Sequence, residues 1–160
     1  MQFEAKLVWQ RNGQPFLDQR YSRAHEWQFD GGARVPASSS PLSVPLPMSN
    51  ADNVDPEEAL VAAVSSCHML FFLSIAAKRG YTVDSYVDQA VGLLEKNADG
   101  RMAMTSITLR PDIAFDGGGA SWPDDDALAA MHHQAHELCY IANSIKAEVV
   151  VEPPISDDGL

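Results

Sequence analysis

The sequence has few cysteines and few basic residues. Of its 160 residues only Cys67 and Cys139 are cysteine, which is too few to cross-link a small secreted scaffold. Lysine and arginine together number 11 against 22 aspartates and glutamates, so the formal net charge is −11. Because so acidic a surface repels a phosphate backbone and anionic lipid, the composition argues against nucleic acid and against a membrane as the main partner.

Targeting signals and long apolar runs are also scarce. The N-terminal residues lack the basic region, apolar stretch and cleavage site of a secretion signal, so we expect a cytoplasmic protein with reduced thiols. The longest apolar run, residues 59–77, contains three serines and a histidine. It is long enough to span a bilayer. However, it is a single such run in a sequence whose other segments have the pattern of a soluble protein, and we interpret it as a buried core helix. Length and a 46% apolar composition predict a single domain over residues 1–160.

The remaining sequence predicts an α+β fold. The alternation of apolar and polar residues is typical of strands in five segments: residues 2–9, 21–29, 83–94, 102–115 and 145–151. Asn12-Gly13 predicts a turn after the first. Residues 35–53 contain four prolines and are predicted to be irregular. A second helix is expected to begin at residues 121–124 and to end near 139–142, and the tail after Pro154 is expected to fray.

Start and stop signals at the two ends of the apolar run predict one long helix. Asp55 is a suitable N-cap, Pro56 fits the first helical position, and Glu58 follows the cap by three residues. Lys78-Arg79 suit a C-terminus, and Gly80 is the expected stop. A helix that is apolar on nearly all sides is predicted to be buried on nearly all sides.

Cys67 lies in the middle of this helix, and Cys139 lies at the end of the second helix. Free cysteine often acts as a small buried hydrophobe, so two inert core thiols are one interpretation. The polar neighbours of Cys67, which are Ser65, Ser66 and His68, need partners or a wet cavity in an apolar helix. They favour a reactive thiol as the other interpretation, provided that a cation or hydrogen-bond donors lower its pKa.

Two motifs resemble the OsmC/Ohr family, which comprises osmotically inducible protein C and the organic hydroperoxide resistance proteins. In that family Pro-Glu opens a long central helix and a cysteine follows the glutamate by ten positions, as in Asp-Pro-Glu-Glu-Ala-Leu-Val-Ala-Ala-Val-Ser-Ser-Cys, residues 55–67. Cys-Tyr-Ile-Ala-Asn-Ser, residues 139–144, is similar to the motif of the family's second cysteine. Tyr140 replaces the usual proline, and His68 stands where an aromatic residue is more common.

The resemblance implies an OsmC-like fold, in which antiparallel sheets pack around a long buried central helix and a second helix, in an intertwined homodimer. It also implies a thiol peroxidase that reduces organic hydroperoxides in oxidative-stress defence, without a cofactor. Cys67 would form a sulfenic acid, Cys139 would resolve it as a disulfide, and an external dithiol such as a lipoylated protein would reopen that bond. Glu57 would pair with an arginine that holds the thiolate; Arg23 is the first candidate, with Arg20, Arg34 and Arg11 as alternatives.

Helix geometry adds a constraint to this site. Ten residues rise by about 15 Å, so Glu57 cannot easily reach Cys67 of its own helix. If both act in one site, the glutamate would come from a second subunit whose helix crosses the first near Ala62.

Other interpretations stay open. His132 and His136 are four residues apart, with Cys139 one turn further on, and could face a metal. Cys67, His68, His136 and Cys139 are a second possible zinc set, although structural or solvated histidines are favoured and no metal is expected. The alternative function is a non-catalytic OsmC-like domain that binds a small apolar ligand or senses redox state.

Overall fold

The computed structural model describes residues 1–117 and 122–154. Within those ranges the chain has two α-helices and eight strands, which confirms the α+β prediction. It divides into two compact units, an N-terminal unit of residues 1–59 and a C-terminal unit of residues 60–160. The assignment of residues 1–160 to a single domain stays a prediction.

The N-terminal unit contains an antiparallel sheet of three strands in the order β1-β2-β3. These are β1 (Ala5–Val8), β2 (His25–Phe29) and β3 (Arg34–Ala37). The first two are shorter than predicted, and the Asn-Gly turn is present, with φ of 51° at Asn12 and 76° at Gly13. β3 lies where an irregular segment was predicted. That prediction was wrong for residues 35–37, because β3 is an edge strand and an edge strand accommodates Pro36.

The long helix α1 (Pro56–Lys78) confirms the start and stop signals. The backbone N–H of Glu58 donates to Asp55 Oδ1 at 2.8 Å, and the N–H of Asp55 donates to Glu58 Oε2 at 3.2 Å. This reciprocal pair is a capping box, which satisfies two N–H groups that the helix start leaves free. Gly80, with φ of 84°, follows the last turn.

Within one chain, α1 is not buried on nearly all sides, so that prediction was wrong for the single chain. The buried residues of α1 share one face: Val64, His68, Phe72, Ile75 and Ala76. Leu70 on another face is 61% exposed. The helix is long and apolar enough to cross a membrane, a test that core helices of soluble proteins also pass.

In the C-terminal unit, each of the two long predicted strands is divided between two sheets. β4 (Val83–Asp88) pairs antiparallel with β7 (Pro111–Phe115). The other sheet has the order β5-β6-β8 and is made of β5 (Val91–Lys96), β6 (Met102–Leu109) and β8 (Glu148–Val151), with β8 parallel to β6. The single-strand predictions for 83–94 and 102–115 were therefore wrong, and β8 begins three residues later than predicted.

Asp88 explains one of these breaks. Its Oδ1 accepts the backbone N–H of Arg110 at 2.7 Å, at the single residue that separates β6 from β7. Because a side chain satisfies this N–H, the ladder can end there without leaving a buried donor unpaired. Apolar and polar residues continue to alternate across Arg110, so the sequence pattern does not show where β6 ends and β7 begins.

The second helix, α2 (Asp125–Leu138), packs against α1. Its N-cap Asp124 accepts the N–H of Ala127 at 2.8 Å, and Cys139 is its C-cap. The predicted helix start at Ser121, most of the Gly117-Gly118-Gly119 break and the predicted frayed tail beyond Pro154 lie outside the described residues.

Two apolar clusters hold the C-terminal unit together, and α1 contributes to both. One contains Phe72, Ile75 and Ala76 of α1, Phe115 of β7, and Met131 and Ala135 of α2. The other joins Val64 to Ile107, Leu109 and Ala147. Close packing continues at Gly92 of β5, where an added Cβ would collide with the side chains of Met104 and Val61.

A hydrogen bond between two histidines links α1 to α2 inside this core. His68 is 1% exposed, and its Nε2 lies 3.0 Å from Nδ1 of His132. Phe72 stacks on the His132 ring at a centroid distance of 4.5 Å. Burial lowers the pKa of each imidazole to about 4, and for His68 the charges of His132 and His136 add to this effect while Asp88 opposes it. Both rings are therefore neutral at neutral pH.

This pair predicts acid sensitivity of the fold. The folded-state pKa values lie below the ordinary value of about 6.5, so the unfolded chain binds protons first. The contribution of the two neutral imidazoles to the free energy of unfolding is fully present above about pH 6.5 and is lost as the pH falls to about 4. We expect the free energy of unfolding, from urea denaturation, to fall by on the order of 2 kcal/mol over this window. The fall should be smaller in His68→Gln and unchanged in His133→Gln, an exposed neighbour; equal slopes in all three proteins would contradict the assignment.

Candidate active site

The two cysteines meet in the C-terminal unit although 72 positions separate them. Cys67 projects from the middle of α1, and Cys139 ends α2. Both are free thiols, and the Cys67 thiol lies close enough to Cys139 to raise its pKa. Cys139 is fully buried, whereas Cys67 is partly exposed.

The surroundings of Cys139 favour a protonated thiol. Burial raises the pKa of Cys139, and the neighbouring thiol of Cys67 raises it further. The backbone N–H groups of Ala142 and Ile141 oppose this effect, and the Ala142 N–H donates to Cys139 Sγ at 3.3 Å. The site therefore pairs a buried thiol that keeps its proton with a second thiol that is more accessible to solvent.

Polar neighbours of Cys67 on α1 find partners in other elements. Ser65 Oγ donates to Asp88 Oδ2 of β4, and His68 pairs with His132 of α2. These contacts meet the requirement, drawn from the sequence, that polar groups in an apolar helix need partners. They also fix the turn of α1 that carries Cys67 against β4 and α2.

Arg23 lies in the N-terminal unit, where its guanidinium is held by the loop before β2. Its Nη1 donates to the carbonyl of Gln19 at 2.6 Å and to that of Tyr21. The guanidinium carbon lies 3.8 Å from the centroid of the Tyr21 ring. Arg23 lines a cavity of about 450 Å³ whose other lining residues are Leu7, Trp9, Phe16, Tyr21, His25 and Ser39. The cavity thus combines aromatic walls with one oriented cation.

Glu57 occupies the first turn of α1. Among the residues that the structure describes, no ion pair joins Glu57 to Arg23 or to another cation of the same chain. Of the alternative arginines, Arg34 pairs with Glu26 at 2.8 Å, and Arg11 donates to the carbonyl of Gln14 at 2.8 Å. The pairing of Glu57 with Arg23 in a site therefore stays a prediction.

The side chains of His68, His132 and His133 have polar partners. Over residues 1–117 and 122–154, no three His, Cys, Asp or Glu side chains are arranged to hold a metal ion. His133 pairs with Glu137 at 3.3 Å, and His132 bonds to His68. The reasoning from sequence missed His132 as the partner of His68. The available signal was the i, i+4, i+7 spacing of His132, His136 and Cys139, which places all three on one face of α2.

Comparisons with known proteins agree with the fold. The model of the OsmC-like protein family matches residues 49–153. An OsmC-like protein of unknown function from Vibrio cholerae is 53% identical over 96% of this chain and 99% of its own, with a TM-score of 0.92. No curated protein matches.

More distant structures share the fold alone. An organic hydroperoxide resistance protein from Elizabethkingia anophelis is 14% identical over 99% of this chain and 97% of its own, with a TM-score of 0.67. An organic hydroperoxide resistance protein from Bacillus subtilis is 18% identical over 96% of this chain and 98% of its own, with a TM-score of 0.59. With both the family model and the 53% identical structure covering most of its length, the chain belongs to the OsmC-like family.

Proposed function

We propose that this protein is a thiol-dependent peroxidase that reduces organic hydroperoxides. The observation that carries the proposal is the meeting of Cys67 and Cys139 as a pair of reduced thiols, one buried and one partly exposed. Such a pair can pass through a disulfide and back, which is the chemistry that a two-electron peroxide reduction needs. Membership of a family that includes organic hydroperoxide resistance proteins supports the same substrate class.

The reaction would begin at the more accessible thiol. The Cys67 thiolate attacks the distal peroxide oxygen, the O–O bond breaks, and the alkoxide leaves and takes a proton to become an alcohol. Cys67 is then a sulfenic acid. The Cys139 sulfur attacks it, an S–S bond forms as the S–O bond breaks, and water leaves. An external dithiol, such as a lipoylated protein, reopens the disulfide by exchange.

The thiolate of Cys67 and the leaving alkoxide both carry negative charge, so the site needs a cation. We assign this role to Arg23, oriented by Glu57, because a guanidinium can hold a carboxylate and still present N–H groups to a second anion. The cavity that Arg23 lines has aromatic walls, which suit a hydroperoxide with an apolar tail.

A homodimer would complete this site. Helix geometry separates Glu57 from Cys67 of the same chain by about 15 Å, and a partner helix that crosses antiparallel would bring the two together. Exposed apolar residues such as Leu70 on α1 support the proposal, because a second subunit would bury them. The acidic composition and reduced thiols suit a cytoplasmic role in oxidative-stress defence.

The second candidate is a non-catalytic domain that binds a small apolar ligand or senses oxidation. The cavity of about 450 Å³ in the N-terminal unit favours ligand binding, since its volume falls in the range of small-molecule sites. Turnover separates the two candidates, because a binding or sensing domain does not consume hydroperoxide catalytically.

Removal of the attacking sulfur should abolish turnover. We expect Cys67→Ser to reduce the consumption of cumene hydroperoxide with a dithiol to the background rate, because a serine hydroxyl is not ionised at neutral pH. Without the dithiol, Cys139→Ser, the matched control, should still consume one equivalent of hydroperoxide and stop at a Cys67 sulfenic acid that a dimedone-type reagent traps. Wild-type protein that consumes hydroperoxide no faster than Cys67→Ser would leave only binding or sensing.

Composite sites predict complementation between variants. Glu57→Gln and Cys67→Ser should each be inactive or strongly impaired as homodimers, whereas a refolded mixture should regain activity. In the mixed dimer, one site combines intact Cys67 from one chain with intact Glu57 from the other. The matched control replaces Cys67→Ser by the Glu57→Gln/Cys67→Ser double variant, which should not complement. A monomer in sedimentation analysis, or a mixture no more active than this control, would contradict the composite site.

A further inference from the structure

Two hydrogen bonds fix the ring of His25 at the start of β2. The indole Nε1–H of Trp27 donates to Nε2 of His25 at 3.0 Å, and Nδ1 of His25 lies 2.8 Å from the carbonyl oxygen of Arg23. An indole nitrogen only donates, so Nε2 carries the lone pair. A carbonyl oxygen only accepts, so Nδ1 carries the proton. Together the two contacts select the neutral ring that is protonated on Nδ1.

His25 thereby holds the residue to which the proposed site assigns its positive charge. The backbone of Arg23 is held on both sides, because its N–H donates to the carbonyl of Met48 at 2.8 Å and its own carbonyl accepts from His25. Its guanidinium donates to the carbonyls of Gln19 and Tyr21. These three carbonyls belong to the main chain, which a substitution leaves in place. Substitution of His25 therefore releases one end of Arg23 and keeps the other contacts available.

The ring of His25 and the guanidinium of Arg23 line the same cavity of about 450 Å³. Both ring nitrogens of His25 are engaged, one by the indole and one by the carbonyl, so the ring offers the cavity no free N–H. The guanidinium uses Nη1 for both of its carbonyl contacts, and its other nitrogens also carry N–H groups. An anion in this cavity therefore meets the cation and no competing imidazole donor.

We propose that His25 is a positioning residue for the Arg23 guanidinium, and that Trp27 selects the tautomer with which His25 does so. This inference rests on the proposed function, in which Arg23 is the cation of the peroxidase site. It adds two residues of β2 to the cysteine, glutamate and arginine set, and it assigns them an effect on how fast the hydroperoxide reacts.

The rate of the first chemical step tests the positioning role. In Cys139→Ser protein without dithiol, a dimedone-type reagent traps the Cys67 sulfenic acid formed by cumene hydroperoxide. In this background we expect His25→Gln to lower the second-order rate constant by about tenfold, because a cation that is held less firmly stabilises the transition state less. His25→Asn should lose no more than about threefold, because its amide nitrogen takes the place of Nδ1 and still donates to the carbonyl of Arg23.

A double-variant cycle with Arg23→Met separates positioning from a general structural role. Arg23→Met should react slowly by itself, and the addition of His25→Gln should change its rate no further, since the guanidinium through which His25 acts is absent. His133→Gln, which replaces an exposed histidine outside this cavity, is the matched control and should react at the rate of the parent protein. Effects of Arg23→Met and His25→Gln that multiply would overturn the inference.

Nitrogen NMR tests the tautomer without any peroxide. In nitrogen-15-labelled protein at neutral pH, Nε2 of His25 should carry no proton and should show a scalar coupling across the hydrogen bond to Nε1 of Trp27. Trp27→Phe should abolish this coupling. A proton on Nε2 would overturn the inference even in a protein that is an active peroxidase.

The two possible failures are distinguishable. If Arg23→Met reacts slowly while His25→Gln reacts at the parent rate, the positioning role is wrong and the proposed function stands. If Arg23→Met reacts at the parent rate, Arg23 is not the cation of the site, and the role of His25 is overturned together with that part of the proposed function.

Discussion

The packing of α1 against α2 is the constraint on which the candidate site depends. Nothing local brings Cys67 and Cys139 together, because they are 72 positions apart. Their meeting is maintained by Phe72 of α1 against Met131 and Ala135 of α2, and by the hydrogen bond between His68 and His132. A disulfide requires its two Cα atoms to approach within about 7 Å, so a shift of one helical turn between these helices would separate the thiols.

Burial then gives the two thiols different properties on the same scaffold. Cys139 is fully buried and its pKa is raised, which favours its protonated form. Cys67 is partly exposed and is the thiol that a reagent in solvent reaches more easily. The chain carries a net charge of −11, so the proposed peroxidase chemistry, which passes through an anionic transition state, would need a guanidinium to supply positive charge locally.

Features set by short-range interactions were predictable from sequence, and those set by long-range packing were not. Asp55 and Glu58 predict the start of α1, because a capping box joins residues that are only three positions apart in the sequence. The spacing of Glu57 and Cys67, with the second cysteine motif, was enough to indicate the family. The division of residues 83–94 and 102–115 between two sheets was not visible, since Asp88 holds Arg110 from 22 positions away. The His68–His132 pair joins residues 64 positions apart, and only the helical spacing on α2 hinted at it.

The thiol pair lies within a single chain and does not depend on the proposed second subunit. The most direct measurement is therefore peptide mapping by mass spectrometry, after wild-type protein reacts with one equivalent of cumene hydroperoxide in the absence of reductant. We predict one cross-linked species in which the peptide containing Cys67 is joined to that containing Cys139 of the same chain. Recovery of both peptides as free thiols, or a cross-link only between different chains, would contradict the account.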